Sequence, residues 1–191
     1  MLLLDVPAQK YYFYIHAPYR NRMKDTLKKV ANAIFAANGQ AITNISEDME
    51  CEAYCGYNAQ IGKLNIKFRQ AKITPKKIGQ FVTLWKRNSL GQTEPFHASD
   101  NFDLYIIATE TASRFGVFLF PGSVLCDKHI LTAKVEGKRG FRVYADWDMP
   151  ENSQATRTKE WQTAFFIDLT NVDGNAMAKL RLHLNQYQEK E

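Results

Sequence analysis

Residues 63–72 constrain the fold more tightly than any other stretch. Leu64, Ile66 and Phe68 alternate with Lys63, Asn65, Lys67 and Arg69, the period-two pattern of a strand with one buried face. Just before it, Gly62 suits the left-handed position of a three-residue hairpin loop, Gln60-Ile61-Gly62, which makes residues 50–58 the partner arm. Such a hairpin must have its apolar face covered. A chain of 191 residues with 45% hydrophobic and 13% aromatic content can supply one buried core. That content excludes a disordered or low-complexity chain.

The surrounding pattern mixes helices and strands. Residues 20–36 read as a helix, with Met23, Leu27, Val30, Ala31 and Ile34 on one face and Asn38-Gly39 as the stop. Residues 41–45 read as a short strand. Thr74 is a suitable N-cap and Pro75 a suitable first helical residue, and Ile78, Phe81, Val82 and Trp85 follow at helical spacing. A helix is therefore expected over 75–87, and a polar loop over 88–100. Strands are expected over 104–108, 115–120 and 141–144, and helices over 155–167 and from Asp173 onward. The order is that of an α+β or mixed α/β protein, a single domain with one central mixed sheet flanked by helices.

Charge is unevenly distributed. The chain carries 25 basic and 20 acidic residues, a net +5. Between Glu52 and Glu94 there is no acid, while Lys63, Lys67, Arg69, Lys72, Lys76, Lys77, Lys86 and Arg87 all fall there. The whole positive excess belongs to one hairpin arm and the segment after it. Such a surface attracts polyanions, and neutralised phosphates release counterions. The alternative is an ordinary solvated face.

The end of the hairpin holds a polar set. Gln70 and Lys72 share the face of Leu64, Ile66 and Phe68. The loop over 60–62 pairs Ala59 with Lys63, and so places Glu52 opposite Gln70 and Glu50 opposite Lys72. Two carboxylates and a carboxamide oxygen are hard ligands suited to Mg²⁺, and a lysine beside them can assist attack of water on phosphorus. A cross-strand salt bridge with a packed glutamine explains the same residues structurally. A register slip of one residue would dissolve the set.

Two resemblances follow from these residues. The stretch from Lys67-Phe68-Arg69-Gln70-Ala71-Lys72 through Thr74-Pro75-Lys76-Lys77 to Leu84-Trp85-Lys86-Arg87 resembles the signature segment of the MepB-like family. Phe120-Pro121, Gly137-Lys138-Arg139, Arg142-Val143-Tyr144, Trp147-Asp148, Gln154-Ala155, Lys159 and Trp161-Gln162 resemble its later landmarks, over residues 45–168 or so. The family is mainly described as uncharacterised, and its members lie beside multidrug-efflux genes. The order of a helix, three strands, a helix and a strand, with Gln70-Ala71-Lys72 on the third strand, is similar to the core of restriction-endonuclease-like nucleases of the PD-(D/E)XK type. That core would span about 20–120, with the C-terminal strands and helices over 121–191. The resemblance implies Mg²⁺ held by Glu50, Glu52 and Gln70, with Lys72 as the catalytic lysine. Gln70 stands where an acid is usual and Glu50 or Glu52 where aspartate is usual, so the implied site is degenerate.

The expected function is nucleic-acid binding, DNA before RNA. Lys67, Arg69, Lys76, Lys77, Gln80, Trp85, Lys86, Arg87, Arg139 and Arg142 would form the contact surface. Hydrolysis, if present, needs Mg²⁺, and no other cofactor is implied. The alternatives are a non-catalytic regulatory module and a small-molecule-binding accessory protein associated with multidrug efflux. Asp146 and Asp148 read as turn residues in preference to a second metal site, and Trp161 as a core residue in preference to a stacking platform. Ser123 lacks the flanking glycines of a nucleophile elbow, and no dinucleotide or phosphate-loop fingerprint is present. Three cysteines do not suggest a disulfide framework. No apolar run is long enough for a membrane span, and Met1-Leu2-Leu3-Leu4 is too short for a signal-peptide core. A cytoplasmic protein without membrane contact is expected.

Overall fold

The computed structural model describes residues 25–48, 50 and 54–187. The architecture is mixed α/β around a six-stranded sheet. Its strands are β1 (Ile42–Glu47), β2 (Tyr57–Ile61), β3 (Leu64–Gln70), β8 (Leu104–Glu110), β9 (Phe115–Pro121) and β11 (Phe166–Asp168), adjacent in that order. β1, β2 and β3 form an antiparallel meander, β8 runs parallel to β3, and β9 and β11 return antiparallel.

One face of the sheet is covered by α1 (Asp25–Asn38) and α4 (Gly174–Asn185). Leu27, Val30, Ala31 and Ile34 of α1 are buried there against Leu64, Ile66 and Phe68 of β3 and Leu104 and Ile106 of β8. The expected helical stripe and the expected strand face thus meet. Asp173 accepts a hydrogen bond from the Ala176 amide and caps α4, as its side chain suits.

The other face is also buried, and this changes the reading of β3. The crossover from β3 to β8 lays down β4 (Lys72–Thr74), β5 (Lys77–Thr83), β6 (Trp85–Arg87) and β7 (Thr93–Pro95). β5 is the middle strand of a three-stranded sheet with β4 on one side and β10 (Gly140–Val143) on the other, and β6 pairs with β7. With α2 (Gly122–Asp127), this layer buries Val82, Leu84, Phe96, Phe141 and Val143 against Tyr105, Ile107, Phe118 and Phe120. β8 is therefore buried on both faces, as expected for the central strand of a covered sheet.

The helix expected over 75–87 is absent; the residues form strands. Pro75 suits the first corner of a tight turn as well as the first turn of a helix. Here Thr74 pairs with Lys77 around Pro75-Lys76, with Lys76 at φ +64°. Gly79 sits at φ +77°, a value a helix interior does not accept. Gln80, Val82 and Leu84 are the residues that bury side chains, a period of two that shares Val82 with the helical pattern. The connection between the third and fourth core strands is thus β-structure, and the expected helix–three strands–helix–strand order is kept except for its second helix. The expected helix over 155–167 splits into α3 (Ser153–Thr163) and β11.

The hairpin register also differs. Ile61 pairs with Leu64 around a two-residue loop, Gly62-Lys63, and Tyr57 pairs with Phe68. Positive φ at Gly62 alone matches a type II′ turn, whose twist fits the flanking strands. The shift of pairing relative to an Ala59–Lys63 match is odd, so it exchanges faces. The described pairing runs from Ile61–Leu64 to Tyr57–Phe68 and does not bring Glu50 opposite Lys72; Glu52 lies outside the described residues.

Candidate nucleic-acid interface

The described members of the proposed metal and catalytic set, Glu50, Gln70 and Lys72, have separate partners. The Gln70 carboxamide oxygen accepts a hydrogen bond from Thr26 Oγ1 of α1 at 3.0 Å, on the helical face of the sheet. Glu50 Oε2 accepts from the Arg87 amide at 3.0 Å. The Lys72 ammonium lies 4.8 Å from the centre of the Tyr54 ring. Glu52 lies outside the described residues. Among the described residues no hydrogen bond or ion pair joins any two of Glu50, Gln70 and Lys72, and no group of three or more His, Cys, Asp or Glu could hold a metal ion.

Lys67 and Arg69, expected on a solvated face, are buried at 3% and 0% exposure. Both converge on Asp48, which the sequence reading passed over. Lys67 Nζ donates to Asp48 Oδ2 at 2.7 Å and to Asn58 Oδ1 at 2.8 Å. Arg69 donates to Asp48 Oδ2 at 2.5 Å and to the Phe68 carbonyl oxygen at 2.9 Å. The Lys67 ammonium also lies 4.5 Å from the Phe96 ring centre and 4.9 Å from that of Phe102, a cation–π arrangement that offsets lost hydration. Burial alone would raise the Asp48 carboxyl, but the two cations hold it below its ordinary range. This cluster is an internal support and presents no charge to a ligand.

Other cations are committed on the surface. Lys86 is paired with Asp100 and lies 3.6 Å from Glu94. Arg87 stacks over Trp85 and reaches Glu50 at 3.8 Å. Arg139 pairs with Glu136 at 3.5 Å and donates to the Thr93 carbonyl oxygen at 2.9 Å. Gln80 is buried and donates to the Glu110 carbonyl oxygen. Trp161 is half-buried: it packs on Phe120 with ring centres 5.4 Å apart and also lines the groove beside α3.

What remains is a groove of about 630 Å³ between the β4–β5 turn, β10, the end of α2 and the first turns of α3. Lys76, Lys77, Lys128, Lys138 and Arg142 line it, with Glu151 as its one acid. Lys76, Lys77 and Lys138 are exposed and have no ion-pair partner among the described residues. Lys128 lies over the Trp161 ring at 5.5 Å. Asn152 caps α3 by accepting from the Ala155 amide at 2.8 Å, and the start of this helix adds its positive dipole end to the same wall. The groove floor is tied together by hydrogen bonds. Gln162 is fully buried and bridges α3 to β10: its oxygen accepts from the Tyr144 amide at 2.8 Å, and its nitrogen donates to the Arg142 carbonyl oxygen at 3.0 Å.

Of these cations, Lys76, Lys77 and Arg142 were expected contact residues; Lys128 and Lys138 were not. Lys138 lies in the Gly137-Lys138-Arg139 landmark, a signal that was available. Nothing local marks Lys128. The landmarks Arg142-Val143-Tyr144, Gln154-Ala155 and Trp161-Gln162 are scattered in sequence but all line this groove or sit beneath it.

The sequence profile of the MepB-like family matches residues 48–168. The chain belongs to the MepB-like family. A crystal structure of MepB is similar in three dimensions, with a TM-score of 0.67 and 30% sequence identity over 69% of this chain and 89% of that one. No curated protein matches the chain significantly. The part matched by the MepB-like profile contains β2 to β11, and so the whole groove. No described helix is long and apolar enough to cross a membrane.

Proposed function

We propose that the chain binds nucleic acid along the basic groove, with duplex DNA as the ligand, and does not cut it through residues 50, 52, 70 and 72. The observation that carries this reading is the convergence of five cations and one acid on a single open groove. Three of those cations have no ion-pair partner among the described residues. Each phosphate they neutralise would release condensed counterions, the main source of affinity for a polyanion. Contacts of this kind position the protein on the backbone and carry little sequence information.

DNA is favoured over RNA by shape. The groove wall includes the β4–β5 turn and the start of β5, beyond the part of β5 that pairs with β10, and the major groove of B-DNA is wide enough to admit such a hairpin tip. The major groove of an A-form RNA helix is too deep and narrow for it. Binding without cleavage is supported by the separate partners of Glu50, Gln70 and Lys72.

The test is a titration of labelled duplex DNA, duplex RNA and single-stranded DNA, with and without Mg²⁺. Tight, salt-sensitive binding of duplex DNA with intact strands in every lane is expected. Mg²⁺-dependent cleavage lost in Lys72→Ala would overturn the binding-only reading. Absence of binding at low salt would overturn the nucleic-acid reading.

A further inference from the structure

The cations of the groove account for holding a duplex but not for the apolar character of the ribbon beside them. Ile73 on β4 and Ile78 on β5 are 66% and 41% exposed. They flank the turn at Pro75-Lys76, whose lysine is followed by Lys77. β4 is the outer strand of its sheet, so its far edge is unpaired. Singly exposed apolar residues are ordinary on a protein surface. Here Ile78 lines the basic groove, Ile73 stands on the strand paired with it, and Lys76 and Lys77 lie between them in sequence; the set suits an occupant that takes both apolar contact and positive charge.

The ribbon is braced. The Arg142 guanidinium donates to the Gly79 carbonyl oxygen at 2.9 Å, to the Ile78 carbonyl oxygen at 3.4 Å and to Thr74 Oγ1 at 2.8 Å. One side chain of β10 thus ties both strands at the neck of the turn. Gly79 lies so close to β10 that a Cβ there would be 2.6 Å from the Tyr144 ring and 2.7 Å from the Val143 carbonyl oxygen. A tip held this way is already ordered, so little conformational entropy opposes its insertion into a ligand.

We propose that the β4–β5 ribbon is a wedge that inserts Ile78 and Ile73 at a base step of the bound duplex, unstacking it and bending the DNA. This rests on the nucleic-acid reading of the groove. Apolar wedges of Ile, Leu, Phe, Met or Pro are a recurring means of kinking a duplex from its minor groove, and the same unstacking is proposed here from the major groove that the hairpin tip enters. The loss of stacking is offset by drawing more backbone onto the protein. Charge complementarity with Lys76, Lys77 and the groove selects a polyanion as occupant in preference to an apolar protein surface.

The experiment uses the full chain and a duplex carrying 2-aminopurine at successive positions, with dyes at its ends for energy transfer. Wild-type protein should raise 2-aminopurine emission at one or two adjacent positions and shorten the end-to-end distance. An Ile73→Ser/Ile78→Ser double variant should lose both signals and keep the wild-type salt slope. A Lys76→Gln/Lys77→Gln variant should lose affinity, and with it the signals. Since all four side chains are exposed, unchanged denaturation midpoints confirm intact folding.

Bound duplex that remains straight and stacked would overturn the wedge and leave the groove reading standing. Absence of binding at low salt would overturn both. Ile73- and Ile78-dependent binding to vesicles of anionic phospholipid, with no change in duplex geometry, would overturn the wedge in favour of a membrane surface.

Discussion

Lys67 and Arg69 lie beneath the second layer of the fold, sharing one carboxylate with rings around them. Lys76 and Lys77, a few residues later in the same acid-free stretch, line an open groove with no ion-pair partner among the described residues. The residue types are the same and the roles opposite. Inside, two cations share one carboxylate and are held in place, so removing that partner is costly. Outside, charge is screened and mobile, and its value appears only when a polyanion displaces counterions. A basic stretch therefore says little about binding until each cation is assigned a depth and a partner.

The sharpest way to break this comparison is Asp48→Ala. It leaves two buried cations sharing no carboxylate, and should cost roughly 3–5 kcal/mol in urea unfolding. A near-zero effect would mean that Lys67 and Arg69 reach water, and the internal half of the comparison would fall. Gln162→Ala comes next. It strands the buried Tyr144 amide and unties α3 from β10. About 1–3 kcal/mol of stability should go, together with part of the duplex affinity, because the groove floor loosens.

Acid sensitivity sharpens the comparison further. His183 is buried on α4; burial and the nearby Lys179 charge hold its pKa below the ordinary 6.5, against a backbone hydrogen bond at Ala164 that raises it. The unfolded chain therefore binds this proton first, so stability is full above pH 6.5 and falls as pH drops below it. Asp48 is depressed below 3.8, so its contribution is present above that value and is lost as pH falls through the lower folded value. Thermal midpoints should decline in two steps on acidification, and His183→Leu should remove the upper one. A flat profile between pH 7 and 5 would contradict the burial of His183. The smallest stability effect belongs to the groove: replacing Lys76, Lys77 and Lys138 by Gln should leave the unfolding midpoint unchanged.

Much of the sheet was legible because its signals are local. The α1 stripe of Leu27, Val30 and Ile34 and the Leu64-Ile66-Phe68 face of β3 are both buried where periodicity put them. What was not legible depends on parts distant in sequence. Alternation shows that Lys67 and Arg69 face away from Phe68, but not that β4–β7 cover them. Val82 fits a helical and an extended pattern alike, and Pro75 opens a turn as readily as a helix. The hairpin register turned on whether Gly62 closes a three-residue loop or opens a two-residue one, and the expected placing of Glu50 opposite Lys72 went with it. The groove was half legible. Lys76 and Lys77 are adjacent in sequence, whereas Lys128 and Lys138 join them only because the end of α2 and the segment leading into β10 meet the β4–β5 turn at this groove, β10 being paired with β5.

The measurement that tests the central claim most directly is the salt dependence of duplex DNA binding by the wild type and by the Lys76→Gln/Lys77→Gln/Lys138→Gln variant. Five groove cations on phosphates imply a log–log slope near −4.5, roughly a 500-fold loss of affinity between about 50 and 200 mM salt. With three of them removed the slope should flatten to about −2, roughly a 12-fold loss over the same range. Equal slopes for the two proteins, or no salt dependence in either, would contradict the assignment of the groove as the nucleic-acid interface.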